Sequence, residues 1–370
     1  MAAAGAAVAL AGLITAAGPA SGTEAASGAA ATPCKPALTT LGALPGTEVS
    51  WPKEGVRALG RGNLAVGSSR GKPVYWTGTT VRRVPIPDSR ATGELVGVNR
   101  DGLMTGRYTP YGATTAIGFT YRAGDPAVTE LPAGVSSGGL DVNDAGRVVS
   151  GGEGGEVIRV IANGTVERTL TIPEEIGPDT FVLTVGGINA RGDVVATVQR
   201  VEPDTGGRVQ ESQPVLWPGD GGPARVLPKA GGNDNWVADL AEDGTFVGSD
   251  WFGFGYEWKS WVWNAPYGSP GSSPGGLSTH PSASLEAISP ATGMVVGTAR
   301  KHPDDSAPSE QAILWPGSGP VLALPRLAAG QPSEAVAVTD DDRAGGSAVN
   351  ASGKTRAVVW KCASRQAYLP

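Results

Sequence analysis

The chain has 370 residues and a formal net charge of −6 at pH 7, with 56 glycines and 30 prolines. An acidic chain without a basic stripe lacks the electrostatic footprint of nucleic-acid binding, so we expect no nucleic-acid partner. After residue 50, no segment contains the run of about eighteen apolar residues that a membrane span needs.

The N-terminal segment differs in composition from the rest of the chain. Residues 1–33 contain no Lys or Arg, are rich in Ala, Gly and Ser, and have an apolar core at 6–17. Small residues at Gly18, Ala20 and Ala26 suit cleavage by signal peptidase. We therefore predict a signal peptide or disordered leader over 1–33, and a secreted protein that is free or associated with the cell surface.

The remainder of the chain is a repeated phrase of about fifty residues. Each copy has a hydrophobic run, a polar turn that closes on glycine, and a second hydrophobic run. Copies lie at 56–67, 95–106, 140–151, 185–196, 238–248, 285–297 and 335–346. In the Asn-x-x-Gly turns, the Asn side chain starts a type I turn and the Gly accepts the positive φ that closes the hairpin. The phrase therefore predicts β-hairpins.

Each hairpin is followed by two more predicted strands. The first of these usually ends in an aromatic residue, which we expect to pack between neighbouring repeats. These aromatics are Trp76, Tyr121, Trp217, Trp263, Trp315 and Trp360. The second usually ends in Leu-Pro or Ile-Pro, and proline is tolerated on an outer edge strand. Four short strands per repeat predict an all-β fold, a single seven-bladed β-propeller of four-stranded blades over residues 34–370.

The two chain ends are predicted to meet. An extra fourth-strand ending at Leu44-Pro45 indicates that an N-terminal strand completes the last blade and closes the ring. Either that strand or the C-terminal one ending at Leu369-Pro370 could take the fourth position, or both could pair there. The only two cysteines, Cys34 and Cys362, stand near opposite ends of the chain. In an exported protein such a pair predicts a disulfide.

The repeats resemble a known family. Gly187–Ala196 with Pro214–Trp217, and Ala287–Gly297 with Ala312–Trp315, are similar to the HAF repeat of bacterial extracellular proteins. The resemblance covers residues 35–370 and implies a secreted β-propeller. It implies no common activity and no catalytic residue.

One segment departs from the repeat and carries the candidate site. Residues 250–263 contain four of the ten tryptophans, and several of these rings have no role in the repeat. Residues 250–259 are predicted to form a long connection between second and third strands, and Trp51 and Trp236 to lie in connections between blades. Both kinds of connection emerge on one face of a propeller, which we call the long-loop face. Rings on such a face suit a sugar or a peptide. The candidate ligand-binding residues are Trp51, Trp236, Trp251, Phe254, Tyr256 and Trp258.

We expect a non-enzymatic binding or scaffold protein that recognises an extracellular carbohydrate, protein or peptide. One alternative is a secreted polysaccharide hydrolase or lyase that uses Asp250 and Glu257 as acid and base. Another is a purely structural surface protein, in which the aromatic segment packs on itself.

The sequence favours no metal site and no cofactor. His280 and His302 are the only histidines, and neither stands among Cys or Glu at ligand spacing. Both are expected to be surface loop residues. No Gly-rich phosphate loop and no Gly-x-Ser-x-Gly motif is present in the sequence. We expect a monomer without a stable membrane span.

Overall fold

The protein is built from successive antiparallel β-sheets. The computed structural model describes residues 34–134, 140–201, 209–232, 234–252, 257–301 and 310–370. Lys35–Pro370 forms one compact unit. The predicted leader at 1–33 lies outside the described residues.

The strands follow the sequence repeats closely. After β1 (Ala37–Thr40), repeat 1 contains β2 (Gly55–Leu59), β3 (Leu64–Ser69), β4 (Lys72–Thr77) and β5 (Thr80–Arg83). Repeat 2 contains β6 (Thr92–Val98), β7 (Leu103–Thr109), β8 (Ile117–Arg122) and β9 (Thr129–Glu130). Repeat 3 contains β10 (Asp141–Val142), β11 (Val148–Gly151), β12 (Val157–Ala162) and β13 (Thr165–Thr171). Repeat 4 contains β14 (Thr180–Ile188), β15 (Val194–Val201), β16 (Val209–Trp217) and β17 (Arg225–Val226).

The second half of the chain continues the pattern. Repeat 5 contains β18 (Asp234–Leu240), β19 (Phe246–Phe252) and β20 (Glu257–Trp263). Repeat 6 contains β21 (Ser282–Ile288), β22 (Val295–Arg300), β23 (Gln311–Trp315) and β24 (Leu322–Ala323). Repeat 7 contains β25 (Ser333–Val338), β26 (Arg343–Val349) and β27 (Thr355–Lys361). Among the described residues, the helical elements are α1 (Ala363–Gln366) and 3₁₀ turns at Glu153–Gly155 and Glu174–Ile176. The predicted all-β class is confirmed.

Hydrogen bonding joins the described strands into six sheets. Within each repeat, consecutive strands pair antiparallel. The largest sheet has seven strands because repeats 4 and 5 are linked by a parallel bridge between Ser212 of β16 and Asp234 of β18. The first strand of each repeat contacts the first strand of the next, and β25 of repeat 7 contacts β2 of repeat 1.

The N-terminal strand takes the outer position in the last sheet. β1 pairs antiparallel with β27, from Ala37 opposite Lys361 to Thr40 opposite Val358. The sequence left open which chain end completes this sheet. The other end goes elsewhere, because Tyr368 forms a bridge with Ala323 at the edge of repeat 6. The expected fourth strand ending at Leu369-Pro370 is therefore not part of repeat 7.

The hydrophobic core lies between neighbouring repeats. One buried cluster combines Val66 of repeat 1 with Met104 of repeat 2, and another combines Leu314 of repeat 6 with Trp360 of repeat 7. Most of the predicted third-strand aromatics are buried, whereas Trp315 is only half-buried. Each sheet buries its two faces against the adjacent sheets. The loops that connect the strands therefore lie at the ends of the strands, outside this core.

In four of the seven repeats, a buried tryptophan also bonds to the sheet before it. The indole N–H of Trp76 donates to the carbonyl of Gly42, 2.6 Å away, at the end of the last sheet's outer strand. Trp217, Trp263 and Trp360 make the same kind of bond to the preceding repeat, to the carbonyls of Thr171, Pro228 and Pro325. The ring fills the core while its single donor is satisfied, as a buried indole requires.

Candidate functional site

The aromatic segment of repeat 5 is largely an extended hairpin. The pairing of β19 with β20 continues through Trp251 opposite Trp258 to Phe252 opposite Glu257. The sequence placed these residues in a connection between strands, and the structure places them within the strands themselves. Phe254 and Tyr256 lie outside the described residues, and only the backbone of Trp251 is described.

Trp236 and Trp258 form an aromatic pair on one face of this sheet. Trp236 lies in β18, not in a connection between blades as the sequence suggested, and it pairs with Ser249 of β19. Its ring centroid is 6.3 Å from that of Trp258, with an interplanar angle of 72°. Trp236 is 37% exposed. The backbone N–H of Trp258 donates to Ser282 Oγ at 2.8 Å, which fixes the pair against repeat 6.

A cavity of about 310 Å³ opens beside this pair. Its polar lining comes from repeats 4, 5 and 6 and consists of Thr184, Ser249, Ser284, Glu286 and Arg300. Ser284 Oγ donates to Glu286 Oε1 at 2.7 Å and accepts from Arg300 Nη1 at 3.2 Å. An apolar wall with a few fixed polar groups is the usual composition of a small-molecule site, and this volume is at the small end of that range.

A second cavity also borders Trp258. It has a volume of about 380 Å³ and is lined by Glu257, Lys259 and a group of serines that includes Ser260 and Ser282. Trp258 lines both cavities.

The two carboxyl groups of the enzymatic alternative differ in environment. Asp250 is fully buried and its Oδ2 accepts a 2.5 Å hydrogen bond from the N–H of Gly232, while Glu257 is exposed. Burial raises the pKa of Asp250 to about 6. Asp250 lines neither cavity beside Trp258, although Glu257 lines the second one. This geometry gives a substrate in either cavity no contact with Asp250.

A line of charged side chains runs from Trp51 to the Trp236–Trp258 pair, and Trp51 lies at its far end. It is 54% exposed, and the Arg107 guanidinium stands over its ring at 5.4 Å from the centroid. Arg107 Nη2 lies 2.7 Å from Glu94 Oε1, and Arg57 Nε lies 3.0 Å from Glu94 Oε2. Arg57 Nη2 in turn donates to the carbonyl of Lys53 at 3.5 Å.

The line continues to the aromatic pair. Lys53 Nζ lies 2.6 Å from Glu334 Oε1 and 3.9 Å from Glu310 Oε2. Arg300 Nε lies 3.5 Å from Glu310 Oε1, and its guanidinium stands 6.0 Å from the ring centroid of Trp258. We call this line the charged band. It consists of Lys53, Arg57, Glu94, Arg107, Arg300, Glu310 and Glu334.

Two members of the charged band, Glu310 and Glu334, influence each other's pKa. Burial and the hydrogen bond to Glu334 raise the pKa of Glu310. Burial opposes ionisation of Glu334, but the hydrogen bond from Glu310 and the ammonium of Lys53 hold its pKa below the usual value. Of the two carboxyl groups, Glu334 is therefore the one that ionises at the lower pH, beside Lys53.

Several residues of the charged band and of the cavity beside Trp236 occupy equivalent positions in the first strands of their repeats. Glu94, Trp236, Ser284 and Glu334 each precede the buried residue that pairs with the glycine of the second strand. The three polar members were not among the residues predicted from the sequence. Aligning the repeats on the second-strand glycine would have identified them as one row, because residues at the same register position occupy equivalent places in successive sheets.

A larger cavity of about 740 Å³ lies among the first strands and the Asn-x-x-Gly turns. Asp141 and Asp239 line it, and a Cβ on Gly187 would lie 3.3 Å from a carboxylate oxygen of each. Burial raises the pKa of both side chains, that of Asp239 to about 8 with help from the charge of Asp141. Each carboxyl accepts from a backbone N–H of the next repeat, at Ile188 and Ile288. Neither aspartate was among the predicted site residues.

The two histidines differ in what the structure shows of them. His280 is buried, not exposed as expected, and its Nδ1 lies 2.9 Å from Thr279 Oγ1. His302 lies outside the described residues. Among the residues that the structure describes, no group of three or more His, Cys, Asp and Glu side chains could hold a metal ion. In the same residues, no helix is long and apolar enough to cross a membrane.

Solved structures with similar folds are β-propellers. The β-propeller domain of the Trilobed protease from Pyrococcus furiosus superposes with a TM-score of 0.53 at 12% identity, covering 82% of this chain and 93% of that one. A prolyl endopeptidase gives 0.52 at 14% identity, covering 80% of this chain and 48% of that one. These likenesses show the fold alone, so the chain has a β-propeller fold. No protein-family model and no curated protein sequence matches it.

Proposed function

We propose that this chain is a secreted, non-enzymatic binding or scaffold protein that recognises an extracellular carbohydrate or peptide on its long-loop face. The observation that carries the proposal is the partly exposed Trp236–Trp258 pair beside a cavity with fixed polar groups. Aromatic rings with one wet edge bury apolar surface of a ligand while hydrogen-bonding groups set its orientation.

The scaffold proposed for this site is a closed seven-bladed ring of HAF-type repeats. It is supported by first-strand contacts that run from repeat 1 to repeat 7 and back to repeat 1. The pairing of β1 with β27 and the bond from Trp76 to Gly42 also join the last sheet to the first. Secretion is supported by the Ala-rich leader together with a disulfide, since disulfides persist in oxidising compartments.

Binding by this site is tested with a double variant. Wild type and Trp236→Ala/Trp258→Ala are applied to glycan and peptide arrays, with Tyr368→Ala as a control for loss of an exposed aromatic elsewhere. We expect the double variant to lose about tenfold or more of the wild-type affinity, which corresponds to about 1.4 kcal/mol. The control should bind like wild type.

Three outcomes separate the hypotheses. Equal binding by wild type and the double variant would contradict the assignment of the site. Cleavage of a polysaccharide that is abolished by Asp250→Asn would favour the enzymatic alternative over a binding protein. Absence of binding and of cleavage would favour a structural surface protein. Circular dichroism of each variant checks that the sheets remain folded.

A further inference from the structure

The charged band connects two separate aromatic platforms on the long-loop face. At one end the Trp51 ring faces Arg107, and at the other the Trp258 ring faces Arg300. Each step between these ends is a contact between polar groups of adjacent side chains or backbone, from Glu94 through Lys53 to Glu310. A continuous chain of polar contacts therefore joins the two platforms.

Each cation of the band already contacts a carboxyl group. Arg57 and Arg107 share Glu94, which is only 3% exposed, and Lys53 and Arg300 contact the Glu310–Glu334 pair. An anionic ligand would have to displace these carboxylates from their partners, and a cationic ligand would have to displace the arginines. An uncharged ligand with many hydroxyl groups can instead donate to the carboxylates and accept from the guanidinium groups without breaking the ion pairs.

The rings add a second requirement on the ligand. A flat indole face favours an apolar ring face over a chain of polar atoms. Trp51 is more than half exposed and Trp236 more than one-third exposed. A cavity of about 310 Å³ beside Trp236 is too small to hold a long ligand, so a polymer would place one unit there and extend across the band.

We propose that the ligand is a neutral oligosaccharide chain, which binds through one subsite at Trp236–Trp258 and a second subsite at Trp51–Arg107. This inference rests on the proposed binding function and deepens it. Two subsites on one rigid scaffold raise the affinity for any ligand that is long enough to reach both, because the second contact is intramolecular. A short ligand occupies only the first subsite.

The experiment measures affinity against ligand length. Isothermal titration calorimetry is done with neutral oligosaccharides of one to six sugars from the glucan, mannan, xylan and chitin series, and with oligogalacturonate as a charged probe. For the series that binds, we expect the dissociation constant of wild type to fall about tenfold or more between the shortest binding member and the longest. Raising the salt concentration from 50 to 500 mM should change it less than about twofold, because no net charge is neutralised.

Variants assign the gain to the second subsite. Trp51→Ala should abolish the gain with length while leaving the affinity for the shortest binding member unchanged, and Trp51→Phe should keep most of it. Trp236→Ala should weaken binding at every length. Tyr368→Ala serves again as the matched control. Thermal melting checks that the variants fold.

The outcomes distinguish this inference from the function on which it rests. Affinity that is independent of length, or Trp51→Ala binding long chains like wild type, overturns the second subsite while the first stands. Preference for oligogalacturonate, or binding of peptides alone, overturns the neutral carbohydrate and leaves a binding protein. If Trp236→Ala has no effect on any bound probe, or no probe binds, the proposed function and the inference fall together.

Discussion

Asp141 and Asp239 lie at the same position in the first strands of repeats 3 and 5. Other repeats have glycine or an aliphatic residue there, such as Gly97 and Ala287. Both support the neighbouring repeat, since each accepts a backbone N–H of the next first strand. Ionisation of one disfavours ionisation of the other, because the charge of Asp141 adds to burial in raising the pKa of Asp239. These residues therefore link the stability of the repeat contacts to pH.

The direction of this pH dependence follows from the raised pKa. Between the reference value of 3.8 and about 8, Asp239 binds a proton in the folded protein that it releases in the unfolded chain. The free energy of unfolding therefore decreases as the pH rises through this window, and the contribution is complete below it. We expect Asp141→Asn to lower the pKa of Asp239, so that the loss of stability ends at a lower pH.

This expectation is checked by thermal melting from pH 4 to 9 and by ¹³C NMR titration of the Asp239 carboxyl. Asn retains an oxygen that can accept from the N–H of Ile188, so that inter-repeat bond is preserved. Asp144→Asn, on an exposed turn of the same repeat, is the matched control and should leave the profile as in wild type. An unchanged profile in Asp141→Asn would show that the two carboxyl groups titrate independently.

Individual residues differ in how far their roles could be predicted. The aromatic ends of the third strands recur in register, so their burial could be expected, and it is found for Trp76, Trp263 and Trp360. The position of Trp236 in a strand could not, because hydrophobic alternation in repeat 5 does not mark where pairing begins. Neither could the charged band, because its members come from repeats far apart in the chain and meet only through the sheet arrangement.

At the scale of the element, the Asn-x-x-Gly turn has a second role besides closing its hairpin. Asn143 Oδ1 accepts from the N–H of Arg147 at 3.0 Å within the turn, as the sequence predicts. Its Nδ2 also donates to the carbonyl of Asn189 in the next repeat at 2.9 Å. Asn99 makes the equivalent bond to Asn143 at 3.1 Å. These turns therefore join successive repeats.

We expect Asn143→Ala to destabilise the protein by about 1–3 kcal/mol, because it removes a buried group whose two partners are then left without it. The matched control is Asn350→Ala. Asn350 builds a similar turn, in which its Oδ1 accepts from Ser352 and Lys354. Asn350→Ala should lower the free energy of unfolding by less than Asn143→Ala does, and the difference is the contribution of the bond between repeats. Urea unfolding measures both, and equal losses would mean that the inter-repeat bond contributes nothing.

The glycine that ends the second hydrophobic run has a packing explanation in five of the seven hairpins, at Gly67, Gly106, Gly248, Gly297 and Gly346. A register shift in the first strand brings a carbonyl close to the second strand, and a Cβ on Gly297 would lie 2.0 Å from the oxygen of Ser284. A Cβ on Gly248 would lie 1.8 Å from the oxygen of Trp236. The repeat phrase predicted the hairpins correctly, but the shift that demands glycine depends on pairing and is not visible in the alternation of residues.

At the scale of the whole molecule, covalent and noncovalent contacts hold the chain ends. Cys34 and Cys362 are disulfide-bonded, as the sequence predicted. β1 pairs with β27 over four residues, and Leu38 packs against the cluster that contains Trp360. Loss of β1 from this position would leave β27 as an edge strand with unpaired backbone groups. The disulfide and the noncovalent contacts of β1 therefore both hold the N-terminal strand in place.

Because of this shared strand, we expect the two devices to be coupled. Cys34→Ser/Cys362→Ser should lower stability by about 2–5 kcal/mol, the usual range for a native disulfide, with β1 still paired. Leu38→Asp should lower it by placing a charge against an apolar cluster while the disulfide remains. If the disulfide and the packing of Leu38 each hold β1 near β27, the combined variant should lose more than the two separate losses together, since either contact alone retains β1 and only the loss of both releases it. Urea unfolding measures the three losses. Strict additivity would mean that the disulfide stabilises the fold independently of β1, by restricting the unfolded chain alone.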